Sequence, residues 1–200
     1  MRVIGTILFS IFIILIFSCE TVEHHHVPKT ANEALKELME GNQRYVNNVP
    51  MHHDFIDEAH HSEKDQHPHT FVLSCIDSRV PPEIVFDQGI GNLFVARVAG
   101  NIEDPNILGS MEYAVQVKGT KLLVVLGHSN CGAVQGAIDN VNLGHLTQLT
   151  NQIKVAFSNH RTYPLPEHLS NETGRLNVLS TIDHILSSSK IIRDLVHQKK

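Results

Sequence analysis

Cysteine is scarce in this chain, with three in 200 residues, and no pair is spaced Cys-x-x-Cys. That excludes the disulfide framework of small secreted domains and a structural zinc site made of two cysteine knuckles. Basic charge is not in excess either. Sixteen Lys and Arg stand against 21 Asp and Glu, a formal net charge of −5, so no basic stripe offers itself and nucleic acid is excluded as a partner. No internal repeat is present. Gly89-x-Gly91 is too short for a phosphate-cradling loop and reads as a turn between a helix and a strand.

Against these absences, the length predicts one domain, or one plus a tail, and a hydrophobic fraction of 42% supplies a single core. The start of the chain lies outside it. Arg2 and the apolar run Val3 to Phe17 form a leader too short for a comfortable membrane span. Ser18-Cys19 after that run looks like a bacterial lipoprotein cleavage site. The expectation is a signal peptide over 1–18, lipid on Cys19 tethering the protein to the membrane, and a polar tether over 19–29 containing His24-His25-His26 and Pro28. An uncleaved anchor or an ordinary signal peptide is the alternative. Each reading places the folded domain, 30–200, outside the cytoplasm, in the periplasm or cell envelope.

Two cysteines remain once Cys19 is set aside, and both follow apolar runs that read as buried strands. Thr70 to Ser74 leads into Cys75-Ile-Asp77-Ser-Arg79, and Lys121 to Leu126 leads into Gly127-His128-Ser-Asn-Cys131. Chemistry in an open α/β sheet collects where parallel strands end. Two thiolates and one imidazole are three good ligands for Zn2+, and a site with three protein ligands keeps a fourth position for water or substrate. The donors therefore argue for a catalytic metal, one per chain. A Cys75–Cys131 disulfide is the competing reading, and it explains neither His128 nor the Asp-Ser-Arg after Cys75. Cys131 opens a helix of small residues, Gly132 to Ile138, whose dipole favours thiolate.

The paired motif resembles the β-class carbonic anhydrases. The likeness continues through Val80-Pro-Pro-Glu-Ile-Val-Phe-Asp-Gln-Gly-Ile-Gly-Asn-Leu-Phe-Val-Ala-Arg-Val-Ala-Gly-Asn101 and Gly109-Ser-Met-Glu-Tyr-Ala114. It implies reversible hydration of carbon dioxide to bicarbonate and a proton by attack of a zinc-bound hydroxide. Two thiolates cancel the zinc charge formally, so neighbouring groups must sharpen the site. By resemblance, Asp77 accepts a hydrogen bond from the nucleophile and Arg79 holds Asp77 by a bidentate ion pair. In a closed form Asp77 instead becomes the fourth zinc ligand. The resemblance further implies that Gln66 reaches substrate in a facing subunit, that Phe94 and Tyr113 line or support the apolar pocket, and that Gly132 offers an N–H to bicarbonate or lets the helix start close to the metal. It implies a homodimer or tetramer as well. Some relatives carry a second, inhibitory bicarbonate pocket that uses tryptophan; with no Trp here, no pocket of that form is expected.

The expected fold is α/β, a central parallel β-sheet flanked by helices, with strands near Thr70–Cys75, Leu93–Val98 and Lys121–Leu126. The resemblance implies further strands past the last helix; the expectation is that they are missing before Lys199-Lys200, in a truncated version or an incomplete record. Thr30-Ala-Asn-Glu33 is a capping box for a helix that places Leu35, Leu38 and Met39 on one face. Pro82 opens a short helix, and Asp104-Pro105 opens a longer one through Met111, Tyr113 and Val117, ended by Gly119. Further helices are expected over about Leu146–Phe157, Gly174–Leu186 and Lys190–His197. Asn47 to Pro68, with His52, His53, His60, His61 and His67, shows no sustained period and reads as a solvated polar loop. Two other functions are kept open: a zinc-buffering lipoprotein that binds without catalysis, and hydrolysis of a related small electrophile such as carbon disulfide.

Overall fold

A computed structural model of the protein describes residues 27–158 and 169–198. The leader, Cys19, His24–His26 and Lys199-Lys200 lie outside the described residues. In chain order the elements are α1 (Ala31–Val46), α2 (Phe55–His61), β1 (Thr70–Ser74), α3 (Pro82–Val85), β2 (Leu93–Arg97), a single 3-10 turn (Ala99–Asn101), α4 (Pro105–Gln116), β3 (Leu122–Leu126), α5 (Gly132–Ile138), α6 (Leu146–Ser158), α7 (Leu169–Ser188) and α8 (Lys190–His197).

The three described strands are parallel in the order β2-β1-β3, because each connection carries a helix back along the sheet. β1 is central, and all five of its residues are buried. Alternation along the strand sends Phe71 and Leu73 to one face, where they meet Met111 and Ala114 of α4, Ile185 of α7 and Ile192 of α8. Burying each such large side chain contributes about 1.5–3 kcal/mol. A second apolar cluster contains Cys75, Ile102, Cys131, Val134, Ala137, Ile153 and Phe157. Both motif cysteines are thus core residues.

Local chemistry sets the helix starts. Asp104 Oδ1 accepts from the N–H groups of Asn106 and Ile107 at 2.8 and 2.9 Å, and Pro105 follows it in the first turn, where a missing N–H costs nothing. Thr30 Oγ1 accepts from Glu33 N at 3.2 Å. The reciprocal half of that capping box shifts by one residue, since Glu33 Oε2 accepts from Lys29 N at 2.7 Å.

Of the α1 face that carries Leu35, Leu38 and Met39, Leu38 is buried, with Ala34 and Gly41 beside it, while Leu35 and Met39 are exposed. The helix docks through its small residues: a Cβ on Gly41 would stand 1.8 Å from the Phe86 carbonyl oxygen. α7 begins at Leu169 rather than near Gly174, one turn and more before the expected start. The polar stretch 47–68 contains α2, capped by Asp54 Oδ1 on Asp57 N at 3.0 Å. That helix buries no residue, so it has no apolar period from which it could be read.

His53 is likewise not solvated. It stacks on Phe55, with Nδ1 2.9 Å from Glu58 Oε1 and Nε2 3.5 Å from Asp87 Oδ1. Asp87 also accepts from Arg44 Nε at 2.5 Å and Met51 N at 3.0 Å. Burial opposes the Asp87 charge, but these partners outweigh it and hold the carboxyl below its ordinary value. A depressed carboxyl stabilises the fold above the unfolded pKa of about 3.9 and loses that contribution as pH falls through the folded value. Resistance of the wild type to urea unfolding is therefore expected to fall on acidification below about pH 4, with Asp87→Asn flattening that acid limb. An equal acid slope in both proteins would contradict the linkage.

Candidate metal centre

Unstaggered parallel pairing brings Ser74, Arg97 and Leu126 level at one end of the sheet. The residues just beyond β1 and β3 are Cys75 and Gly127-His128, so the two motif halves meet although they are far apart in the chain. Cys131 follows at the N-cap of α5. Cys75 Sγ and Cys131 Sγ lie 3.9 Å apart, and the donor atoms of Cys75, His128 and Cys131 all fall within 4.8 Å of one another. Two Zn–S bonds of about 2.3 Å at a tetrahedral centre need sulfurs near 3.8 Å apart, whereas a disulfide needs about 2.05 Å. The spacing fits a shared metal, and both cysteines are free.

His128 carries the decisive detail. Its Nδ1 is 2.9 Å from the Ser129 carbonyl oxygen. A carbonyl only accepts, so Nδ1 holds the ring proton and Nε2 keeps its lone pair. That Nε2 is buried and has no hydrogen-bond partner. Leaving a buried polar atom unpaired costs about 1–3 kcal/mol, and a metal between the ring and the two sulfurs removes that cost. The backbone carbonyl behind the ring is the usual device that fixes a ligating imidazole.

The thiols are prepared for the same role. The two sulfurs share one hydrogen bond, and that bond first, then the Gly100 N–H, holds the Cys75 thiol down to about 4 against the effect of burial. The same bond, together with burial, pushes Cys131 up. The remaining proton of the pair is the one a metal would release.

Asp77 stands at the rim of this cluster, outside the donor set. Its Oδ1 accepts from Arg79 N and Nε at 3.0 and 2.8 Å, and Oδ2 accepts from Arg79 Nη2 at 2.7 Å. Oδ2 is also 3.8 Å from His128 Nε2. The hydrogen bonds from the Arg79 guanidinium and N–H hold the Asp77 carboxyl well below the usual carboxylate range. Arg79 Nη2 reaches on to the Asn130 carbonyl at 3.2 Å, tying the two motif loops together.

Arg97, which no sequence motif singles out, closes the arrangement from β2. Its Nε donates to the Cys75 carbonyl at 2.9 Å and its Nη2 to the Asp77 carbonyl at 2.6 Å. An Arg at the last position of a strand carries no local signal of that task; only the register with Ser74 reveals it.

Of the other expected site residues, Phe94, Tyr113 and Gln66 lie away from the donors of their own chain. Phe94 pairs with Phe71, four residues before Cys75 and so about 13 Å from it along the strand. Phe94 meets Tyr113 edge-on at 6.3 Å, and both line a cavity of about 700 Å³ with Phe71, Ala96, Gly109 and Ser110. Gln66 is exposed and adjoins Asp65, which pairs with Lys118 just past α4 at 2.6 Å. These residues belong to the opposite end of the sheet from the donors of the same chain. Gly132 adjoins Cys131, and a Cβ there would meet open space, so crowding does not demand glycine.

Comparison with known proteins converges on one family. A family profile described as Carbonic anhydrase matches residues 70–200. Carbonic anhydrase 2 of Mycobacterium tuberculosis is 46% identical over 114 residues, 56% of this chain and 55% of that protein. A carbonic anhydrase of Synechococcus elongatus is 30% identical over 185 residues, 83% of this chain and 65% of its own. Among solved structures, one of two tetrameric β-carbonic anhydrases of the filamentous ascomycete Sordaria macrospora superposes with a TM-score of 0.62 at 26% identity, covering 83% of this chain and 84% of that one. The chain spans about half the length of the mycobacterial relatives it matches. The matched region takes in the sulfur and imidazole donors together with Asp77 and Arg79, and the chain belongs to the β-class carbonic anhydrases.

Proposed function

We propose that this protein is a zinc carbonic anhydrase, which adds water to carbon dioxide to give bicarbonate and a proton, and reverses that reaction. The observation that carries the reading is the buried, unpaired His128 Nε2 facing two thiols at zinc spacing, beside an ion-paired carboxylate. Bound to Cys75, His128 and Cys131, zinc supplies the Lewis acidity that makes water a nucleophile near neutral pH. Asp77 stays ionised because Arg79 holds it. It is placed to accept a hydrogen bond from the attacking water and so to aim a lone pair at the carbon. Both Asp77 oxygens are occupied by Arg79, which supports the open arrangement over one in which Asp77 is a ligand. Open space over Gly132 leaves room for a small linear substrate. A storage site has no use for the Asp77–Arg79 pair, which argues against zinc buffering.

The reading includes a partner copy. Gln66, Phe94 and Tyr113 are remote from the donors of their own chain, and exposed apolar side chains on the N-terminal arm and α3, among them Leu35, Met39, Phe55, Ile56 and Ile84, form the kind of surface that marks protein association. A dimer would set the substrate-facing residues of one subunit against the donors of the other.

Stopped-flow hydration of carbon dioxide, run with light scattering on zinc-quantified protein before and after chelation, tests both statements. The expected result is one zinc per chain, a dimer or larger species, and catalysis that chelation abolishes and zinc restores. Full zinc content without hydration would favour a binding protein, and a fully active monomer would remove the partner's role.

A further inference from the structure

We propose that Asn177, in the middle of α7, is a positioning residue for the Cys75 donor, acting through the backbone of Gly100. The inference rests on the zinc reading of the site. Asn177 is buried to 2% exposure, and its Nδ2 donates to the Gly100 carbonyl at 2.7 Å. The Gly100 N–H in turn donates to Cys75 Sγ at 3.4 Å. The two peptide groups flanking Gly100 are therefore fixed from opposite directions, one by the α7 amide and one by the sulfur.

Gly100 needs such a constraint. It sits at φ 72°, ψ 17°, the left-handed region that glycine enters freely, and a Cβ there would stand 2.5 Å from Ile153 Cδ1. Glycine alone does not hold that geometry, because its freedom extends to other regions. The buried Asn177 amide selects one of them and satisfies a carbonyl that would otherwise be orphaned.

The same helix also touches the other half of the donor set. Asn171 Oδ1 accepts from Asn130 N at 3.2 Å, one residue before Cys131. A Cβ on Gly174 would lie 3.9 Å from the His128 carbonyl oxygen, and Val178 packs against Gly127. α7 thus bears on both donor loops, and Asn177 is its polar contact with the Cys75 side. Groups that orient metal ligands from behind typically change metal affinity or activity about 10–100-fold when removed.

The test compares full-length zinc protein carrying Asn177→Leu, which keeps the volume and loses the donor, with Ile185→Ala, which opens a cavity in the other core cluster. Zinc affinity is read by competition with a chelator. The thiolate-to-metal charge-transfer band is read with cobalt(II) in place of zinc. The expected result is zinc binding weakened about 10–100-fold in Asn177→Leu with a shifted cobalt band. Ile185→Ala should leave both unchanged although it unfolds at lower denaturant. Zinc affinity within twofold of wild type in Asn177→Leu, or an equal loss in Ile185→Ala, would overturn the proposal.

Should Asn177→Leu not fold, cadmium-113 in the wild type replaces it. Scalar coupling between the metal and the Gly100 amide proton, with slow exchange of the Asn177 side-chain amide, supports the relay, and absence of either overturns it. A wild type that binds no zinc would instead remove the site reading itself, and this inference with it.

Discussion

Replacing His128 by alanine is expected to empty the metal centre while leaving the chain folded. Three donors share the site, and small-protein zinc sites bind with roughly 10–16 kcal/mol. Losing one donor of three then removes about 4 kcal/mol, roughly a thousand-fold in affinity. The substitution also removes the buried Nε2 that has no protein partner, so it does not strand a hydrogen-bonded neighbour apart from the Ser129 carbonyl. The fold should tolerate it. Metal analysis after gel filtration is expected to give well under one zinc per chain, carbon dioxide hydration to fall to the uncatalysed rate, and two thiols to become titratable. Retention of a full zinc equivalent would mean that the ring is a core histidine and that the ligand set has been misassigned.

Asp77→Ala is expected to give the opposite pairing of outcomes: zinc retained, rate lost. Asp77 is tied to Arg79 through both oxygens and is not among the clustered donors, so removing it leaves the metal held by two sulfurs and a ring. On the proposed function, what disappears is the ionised acceptor that would orient the nucleophile, a function worth about 10²–10⁴-fold in rate when a positioned acid or base supplies it. The fall should appear in kcat as well as kcat/KM, because the contact matters most in the transition state. Zinc lost along with activity would show that Asp77 ligates the metal, as in the closed form. Arg79→Lys should resemble Asp77→Ala in direction, since a lysine cannot reproduce the two parallel bonds of the guanidinium fork.

The sequence was most readable where the physics is local. A proline after a capping aspartate located the start of α4, and a short apolar run, Phe71 to Leu73, between Thr70 and Ser74 located β1. α2 escaped because it is held by Asp54 at its cap and by Glu58, whose Oε2 accepts from Ile90 N at 2.8 Å, and not by an apolar stripe. Leu35 and Met39 share the helical period of Leu38, yet period alone does not say which side of a stripe meets the same chain. His53 illustrates the same limit. Its burial depends on Asp87 and Glu58, residues with no sequence relation to it that a pattern could express.

The identity of the donors and the level at which they leave the sheet follow from the chain alone, because two buried strands followed at once by Cys and His leave few other arrangements. The orphaned ring nitrogen, the Arg97 bonds beneath the Cys75–Asp77 loop, the Asn177–Gly100–Cys75 relay and the separation of Phe94 and Tyr113 from their own metal centre were decided only by the tertiary structure. Each of these is a pairing between groups far apart in the chain. Its existence depends on strand register and helix placement, and on which buried polar atoms are left needing a partner once the core has closed.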